Sequence, residues 1–350
     1  MFFAFFTPRG DVGVITSDFS GSGRFYTIDS TGFLSPNFIP IYSDAVGFYL
    51  DEKIILINRL GRDSIQFLDP NFLNRTILEF STGKNSNPHG IAFYQNKAYI
   101  TLYEKNYLLV VDKNTGLELK RIDLQPYVDK NTFSVPDNLP EASGIISYDN
   151  RIYVAIQRLD RTNPNFIFPP TDYSALLEVD PQDDVVIQEH RLIFTNPLNK
   201  LKIYNITNED CIFVATPSFL GFNFRIDGGI EAFCPKSKQQ FVVLTEQEVG
   251  GDILDFVIRD SQRGYALVLF QDFSNALVEF HPQLAKSIRQ VLFYKNQEGF
   301  AAGLEIDENG ILYLGESSAY PSVKIYNTNT SSFQGQVLLP QRPTDIFLLK

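Results

Sequence analysis

Few residues in this chain could do chemistry, and they are scattered. Asp44, His89, Glu141, Asp252 and Asp345 each stand at or near the start of a short apolar segment. Carboxylates and an imidazole that converge could take a divalent cation or a polar ligand. The same residues would equally suit a solvated opening, where polar side chains need no ligand. No Asp-x-Asp-x-Asp-Gly calcium loop is present. The 3 histidines, His89, His190 and His281, fall at unrelated places in the pattern described below, so a histidine-rich metal centre is not expected. The Gly-x-Ser-x-Gly elbow of many hydrolases is missing. Ser81-Thr82-Gly83-Lys84 contains Gly-Lys, but it lacks the spacing and the following helix of a phosphate loop. No residue is therefore assigned a catalytic role. No cofactor is expected, apart from the divalent cation that the five polar residues could hold.

The 2 cysteines are placed more informatively. Cys211 begins one strand-like segment and Cys234 ends the next. Folding this hairpin about Phe222 and Asn223 sets the two opposite each other. A directly opposed, non-hydrogen-bonded pair comes close enough for a disulfide. The expectation is a bridge, which would point to an oxidising compartment; the alternative is two reduced core thiols.

The elements that carry these residues recur along the chain. An apolar segment with Gly near its start appears as Ala45-Val46-Gly47-Phe48, His89-Gly90-Ile91-Ala92, Ser143-Gly144-Ile145-Ile146 and Ala302-Gly303-Leu304-Glu305. A polar turn and a second apolar run follow, as in Asp149-Asn150-Arg151 and Ile152-Tyr153-Val154-Ala155. A third run closes on Asp29, Asp69, Asp112, Asp180, Cys234, His281 and Asn327, at intervals of roughly 40 to 70 residues. A weaker fourth run trails each unit, as in Leu117 to Ile122. Seven units of four short strands predict an all-β fold, a seven-bladed β-propeller of four-stranded blades, with all of 1–350 in one domain. Two β-sandwiches are the alternative. No segment shows helical periodicity with caps.

One unit resembles a known repeat. Asn87-Pro88-His89-Gly90-Ile91-Ala92-Phe93, Lys97-Ala98-Tyr99-Ile100-Thr101 and Leu109-Val110-Val111-Asp112-Lys113-Asn114-Thr115-Gly116 are similar to the YVTN-type repeat of YncE-like bacterial surface-layer and periplasmic propellers. The resemblance is good in this blade, partial in the fourth and seventh, and limited to strand pattern elsewhere. It implies a seven-bladed exported propeller that often binds something, and it supplies no activity.

Two segments compete to complete blade one. Pro343 to Leu349 reads as an inner strand with nothing after it, while Phe2 to Phe6 followed by Val12 to Ile15 reads as an inner strand and its successor. The C-terminal segment is favoured, because joining strands from both termini ties the ring shut.

Strand direction sorts the loops onto two rims. Connections from second to third strand, and from blade to blade, share one rim, and the long insertions fall there: Gln125 to Pro140, Gln157 to Asp172 and Pro217 to Gly228. Long loops in compact domains often carry function. The first two hold Tyr127, Phe133, Phe166 and Phe168, expected to be exposed, with prolines that stiffen the backbone, and the third holds Phe219, Phe222 and Phe224; all seven are expected to be partner-binding aromatics. Folding down to seal the rim is the competing role for each ring.

Composition narrows the partner. A net charge of -11 and the lack of a Lys/Arg cluster argue against nucleic acid and against anionic membrane surfaces. No apolar run is long enough to span a bilayer. With 0 Trp, the tryptophan-based repeat signatures of other propellers are absent. The apolar start, Met1 to Phe6, is too short for a signal sequence, so export requires a leader already removed; a cytoplasmic location is the alternative. The leading expectation is an exported monomeric binding module that takes a protein, peptide or glycan on the insertion rim. An enzyme at the channel mouth and a surface-layer component are the rivals.

Overall fold

A computed structural model of the chain describes residues 11–69, 72–129, 137–162, 168–220, 225–296 and 298–349. The segment Phe2–Phe6 and the aromatics Phe133, Phe166, Phe222 and Phe224 lie outside the described residues.

Central strands here are almost continuously apolar, as strands covered on both faces must be. Lys53–Asn58, Arg151–Ile156 and Asp210–Thr216 are buried at every position but the first. Outer strands such as Glu118–Asp123 stay mostly exposed. Together they build seven four-stranded antiparallel sheets. The expected third-strand ends fall where the strands end, at Asp69, Asp112, Asp180, Cys234, His281 and Asn327, and one residue past Ile28 in blade one. The recurring Asp has a local cause. Asp112 accepts hydrogen bonds from the Asn114 and Thr115 amides at 3.0 and 2.9 Å, closing the turn into the outer strand, and Asp29 does the same for Thr31 and Phe33. Asn327 keeps the geometry, accepting from Asn329.

The chain forms two compact units: the described residues up to Asn87 together with those from Glu298 onward, and Pro88–Asn296. The first holds blades one, two and seven. In blade one Arg342–Leu348 pairs with Val12–Ser17, which pairs in turn with Ser22–Ile28 and Ile39–Tyr42, so strands from both ends of the chain share a sheet and the C-terminal segment is the inner strand. Phe347 of this strand fills the space that a Cβ would need at Gly13 and Gly47, 2.6 and 1.9 Å away. The second unit holds blades three to six. There a Cβ at Gly90 would meet Ile145 of the next inner strand at 2.8 Å, and one at Gly144 would meet the Asn199 carbonyl at 2.8 Å. The repeated glycine thus marks where neighbouring inner strands approach closely.

The cysteines are bridged, with Cα atoms 4.1 Å apart across the blade-five hairpin. Among the described residues the helical content is one turn at Glu246–Val249 and a 3-10 turn at Gln125–Tyr127. No helix of the described residues is long and apolar enough to cross a membrane.

Candidate functional site

The five polar residues expected to converge divide into separate neighbourhoods. In the first unit Asp44 is paired with Arg59 at 2.5 Å, and Asp345 accepts the Gly47 amide at 2.8 Å. In the second unit His89 and Glu141 meet around Tyr103, while Asp252 belongs to the junction of blades five and six. No group of three metal-ligating side chains converges among the described residues.

Among the described residues of the insertion rim, Tyr103 is the centre of an extended polar network. Tyr103 and Glu104 follow the second strand of blade three, Lys97–Leu102. The Tyr103 ring stacks on His89, with centroids 4.5 Å apart and planes 13° from parallel. Its hydroxyl donates to Gln157 Oε1 at 2.6 Å, and Gln157 Nε2 donates to the Pro197 carbonyl at 2.8 Å. The network therefore runs from blade three through blade four to blade five. Arg161, from the blade-four insertion, reaches back and makes two 2.8 Å bonds to Glu104. Its guanidinium also lies 5.3 Å from the Tyr103 ring centre and 5.6 Å from that of Phe168. A planar, two-pronged cation suits both tasks at once. The Arg161 amide donates to Asp137 in the preceding insertion, at 3.1 Å.

Two acids beside this network lack full compensation. Glu141 is 0% exposed; Oε2 accepts the Leu159 amide at 3.0 Å, and Oε1 has no hydrogen-bond partner. Burial, reinforced by the charge of Asp137, pushes its carboxyl up to about 9, so it is neutral at physiological pH. Asp129 is 1% exposed with neither oxygen hydrogen-bonded, and burial raises it to about 6. Nearby, Arg158 is sunk in the loop: it pairs with Asp172 at 2.7 Å, donates to the Val128 carbonyl and lies 3.8 Å over the Tyr173 ring.

The insertion aromatics behave differently from one another. Phe168 is 42% exposed, with the Arg161 guanidinium 5.6 Å from its ring centre. Tyr127 is half-buried against the core shared by blades three and four. Phe219 is buried, 6% exposed, with the Arg225 guanidinium 4.6 Å from its ring centre, and so offers little surface to a partner. Sequence reasoning missed Tyr103, Glu104, Gln157 and Arg161, although their signal was available. Each sits at the end of a second strand or just beyond it, on the rim that carries the insertions. A second feature of that rim is an open groove of about 590 Å³ lined by Ile226, Gly250, Phe270, Asp272, Ser274 and Phe293.

His190 is accounted for structurally. It bonds to Glu178 at 2.8 Å and packs on Phe233, far along an outer strand.

No protein-family model matches the chain, and a comparison with curated protein sequences finds no match. Solved structures do match over nearly its whole length. The dihydro-heme d1 dehydrogenase NirN superposes with a TM-score of 0.63 at 9% identity, covering 99% of this chain and 77% of that one. A 6-phosphogluconolactonase-like protein from Bacteroides uniformis gives 0.62 at 12% identity, covering 96% and 98%. AztD from Citrobacter koseri gives 0.57 at 12% identity, covering 96% of both chains. Likeness at such low identity carries architecture and not activity. With the seven sheets it establishes that this chain has the fold of a seven-bladed β-propeller.

Proposed function

We propose that the chain is a single-domain, exported propeller of the YVTN-repeat kind, and that it binds a protein, peptide or glycan through the insertion rim of blades three to five. The observation that carries this reading is the mounting of Phe168. An exposed aromatic held by a partly buried Arg161–Glu104 pair, itself stacked on Tyr103, is a fixed anchor rather than a loosely covered core residue. Ordering such a ring before contact lowers the entropy lost on binding. The open groove at blades five and six, on the same rim, offers a further surface of mixed polar and apolar character. The bridge between Cys211 and Cys234 supports an oxidising compartment, where such bonds persist.

Printed glycan and peptide arrays test the proposal. The wild-type protein should bind a discrete set of probes, and Phe168→Ala should lose roughly tenfold or more in affinity for them. No retained probe, or equal retention by Phe168→Ala, would reject the rim as the binding face.

A further inference from the structure

Beneath the end of the blade-five insertion lies a second buried acid pair, Glu246 and Asp252. Glu246 opens the one-turn helix Glu246–Val249, capped by Thr245, whose hydroxyl accepts the Glu248 amide. The Glu246 carboxylate is fully buried and accepts three backbone amides. Asp227 and Gly228 donate to Oε2 at 3.2 and 2.9 Å, and Ile253 donates to Oε1 at 3.1 Å. It therefore joins the end of the insertion to the first strand of blade six, Asp252–Asp260. The approach is close: a Cβ at Gly228 would lie 2.2 Å from the Thr216 carbonyl oxygen. Asp227 in turn accepts the Phe219 amide.

Asp252 immediately precedes Ile253. It is 0% exposed, and neither carboxyl oxygen has a hydrogen-bond partner. The charged groups around it offer no cation to spare. Asp227 and Glu246 are the acids that face it. Glu231 of blade five is filled by the Ile193 and Phe194 amides and the Thr216 hydroxyl. Lys202 of the adjoining inner strand is committed to Asp255, Arg263 to Glu279, Arg259 to Asp260, and Lys286 to Glu248.

A carboxylate with three amide donors is stabilised as the anion, whereas one with none in a dry site is stabilised as the acid. Protonating Glu246 would forfeit an amide bond; protonating Asp252 forfeits nothing. We infer that Asp252 is carried as a neutral acid while Glu246 holds the charge, and that ionisation of Asp252 sets a second charge beside Glu246 and loosens its hold on Asp227–Gly228. The device is a proton latch on the insertion rim, independent of what that rim binds. Burial raises both carboxyls, Glu246 to about 8 and Asp252 to about 7, and the charge of Asp227 adds to the rise of Asp252; two charges so close are costly, and the three amide donors assign the single charge to Glu246.

Hydrogen exchange of the Gly228 and Gly229 amides tests the latch, after correction for intrinsic rates. Between about pH 6 and about pH 8.5 the wild type should lose roughly tenfold in protection, while Asp252→Asn should stay flat. Asp252→Ser, smaller and uncharged, replaces Asp252→Asn if the latter does not fold. Parallel profiles for wild type and variant would overturn the inference. So would calcium or sodium restoring wild-type protection at about pH 8.5, since a cation rather than a proton would then be compensating Asp252.

Discussion

Asp44 and Asp345 in the first unit, and Glu141 and Asp252 in the second, look alike in sequence and differ in circumstance. The first pair is served by Arg59 and by the Gly47 amide, and both side chains are partly exposed to water. The second pair is buried at 0% exposure, with one free oxygen in Glu141 and two in Asp252. A carboxyl group at the head of an inner strand is thus not a single kind of feature. Its neighbours decide whether it acts as a charge or as an acid. The unit that bears the long insertions is also the one that buries acids against its own stability, a pattern associated with functional sites.

The sharpest way to break this contrast is to remove the covalent staple that the second unit alone carries among the described residues. The Cys211–Cys234 bridge closes a separation of 23 residues, and its loss should cost about 3 kcal/mol. Urea unfolding of a Cys211→Ser/Cys234→Ser variant measures it. Identical midpoints for variant and oxidised wild type would mean that the staple holds nothing.

Next in size is the pH dependence of the buried acids. Glu141 has a folded value of about 9 against 4.5, and Asp252 about 7 against 3.8. The folded state therefore holds protons that the unfolded chain has released, so stability falls as pH rises, for Asp252 from about 4 to 7 and for Glu141 from about 4.5 to 9. Glu141→Gln should gain stability at pH 8 and gain much less at pH 5. A gain that does not change with pH would show that Glu141 is not titrating in the folded state. The smallest effect belongs to the first unit. Asp44→Asn should lose about 0.5 kcal/mol, and the loss should shrink in high salt. A loss as large as that of the staple would erase the distinction between the two units.

Sequence carried the architecture unusually far, for a physical reason. Central strands covered on both faces must be apolar throughout, and this signal repeats in every blade; the Asp or Asn oxygen that closes the turn into the outer strand repeats in most blades, but not where Cys234 or His281 ends the third strand. Even the inner strand of blade one was legible, since joining Pro343 to Leu349 with the N-terminal strands ties the ring shut. The site was less legible. Tyr103, Gln157 and Arg161 lie in connections after second strands, where the rim they share can be read from sequence but their mutual contacts cannot. Glu246 escaped because a single helical turn has no periodicity, although Thr245-Glu246-Gln247-Glu248 is a capping-box sequence. Phe219 could not be told from Phe168 because covering by Arg225 or support by Arg161 is a matter of loop folding, not of residue type.

The pairing of Arg342–Leu348 with Val12–Ser17 has a consequence for biosynthesis. Thr16 and Gln341, bonded across this junction, are 325 residues apart in the chain. As the polypeptide leaves the ribosome, Val12–Ser17 waits through the making of every other blade with one edge open, inviting strands from other molecules. A chain cut short before Arg342 would keep that edge permanently, and aggregation rather than a smaller folded product is its expected fate.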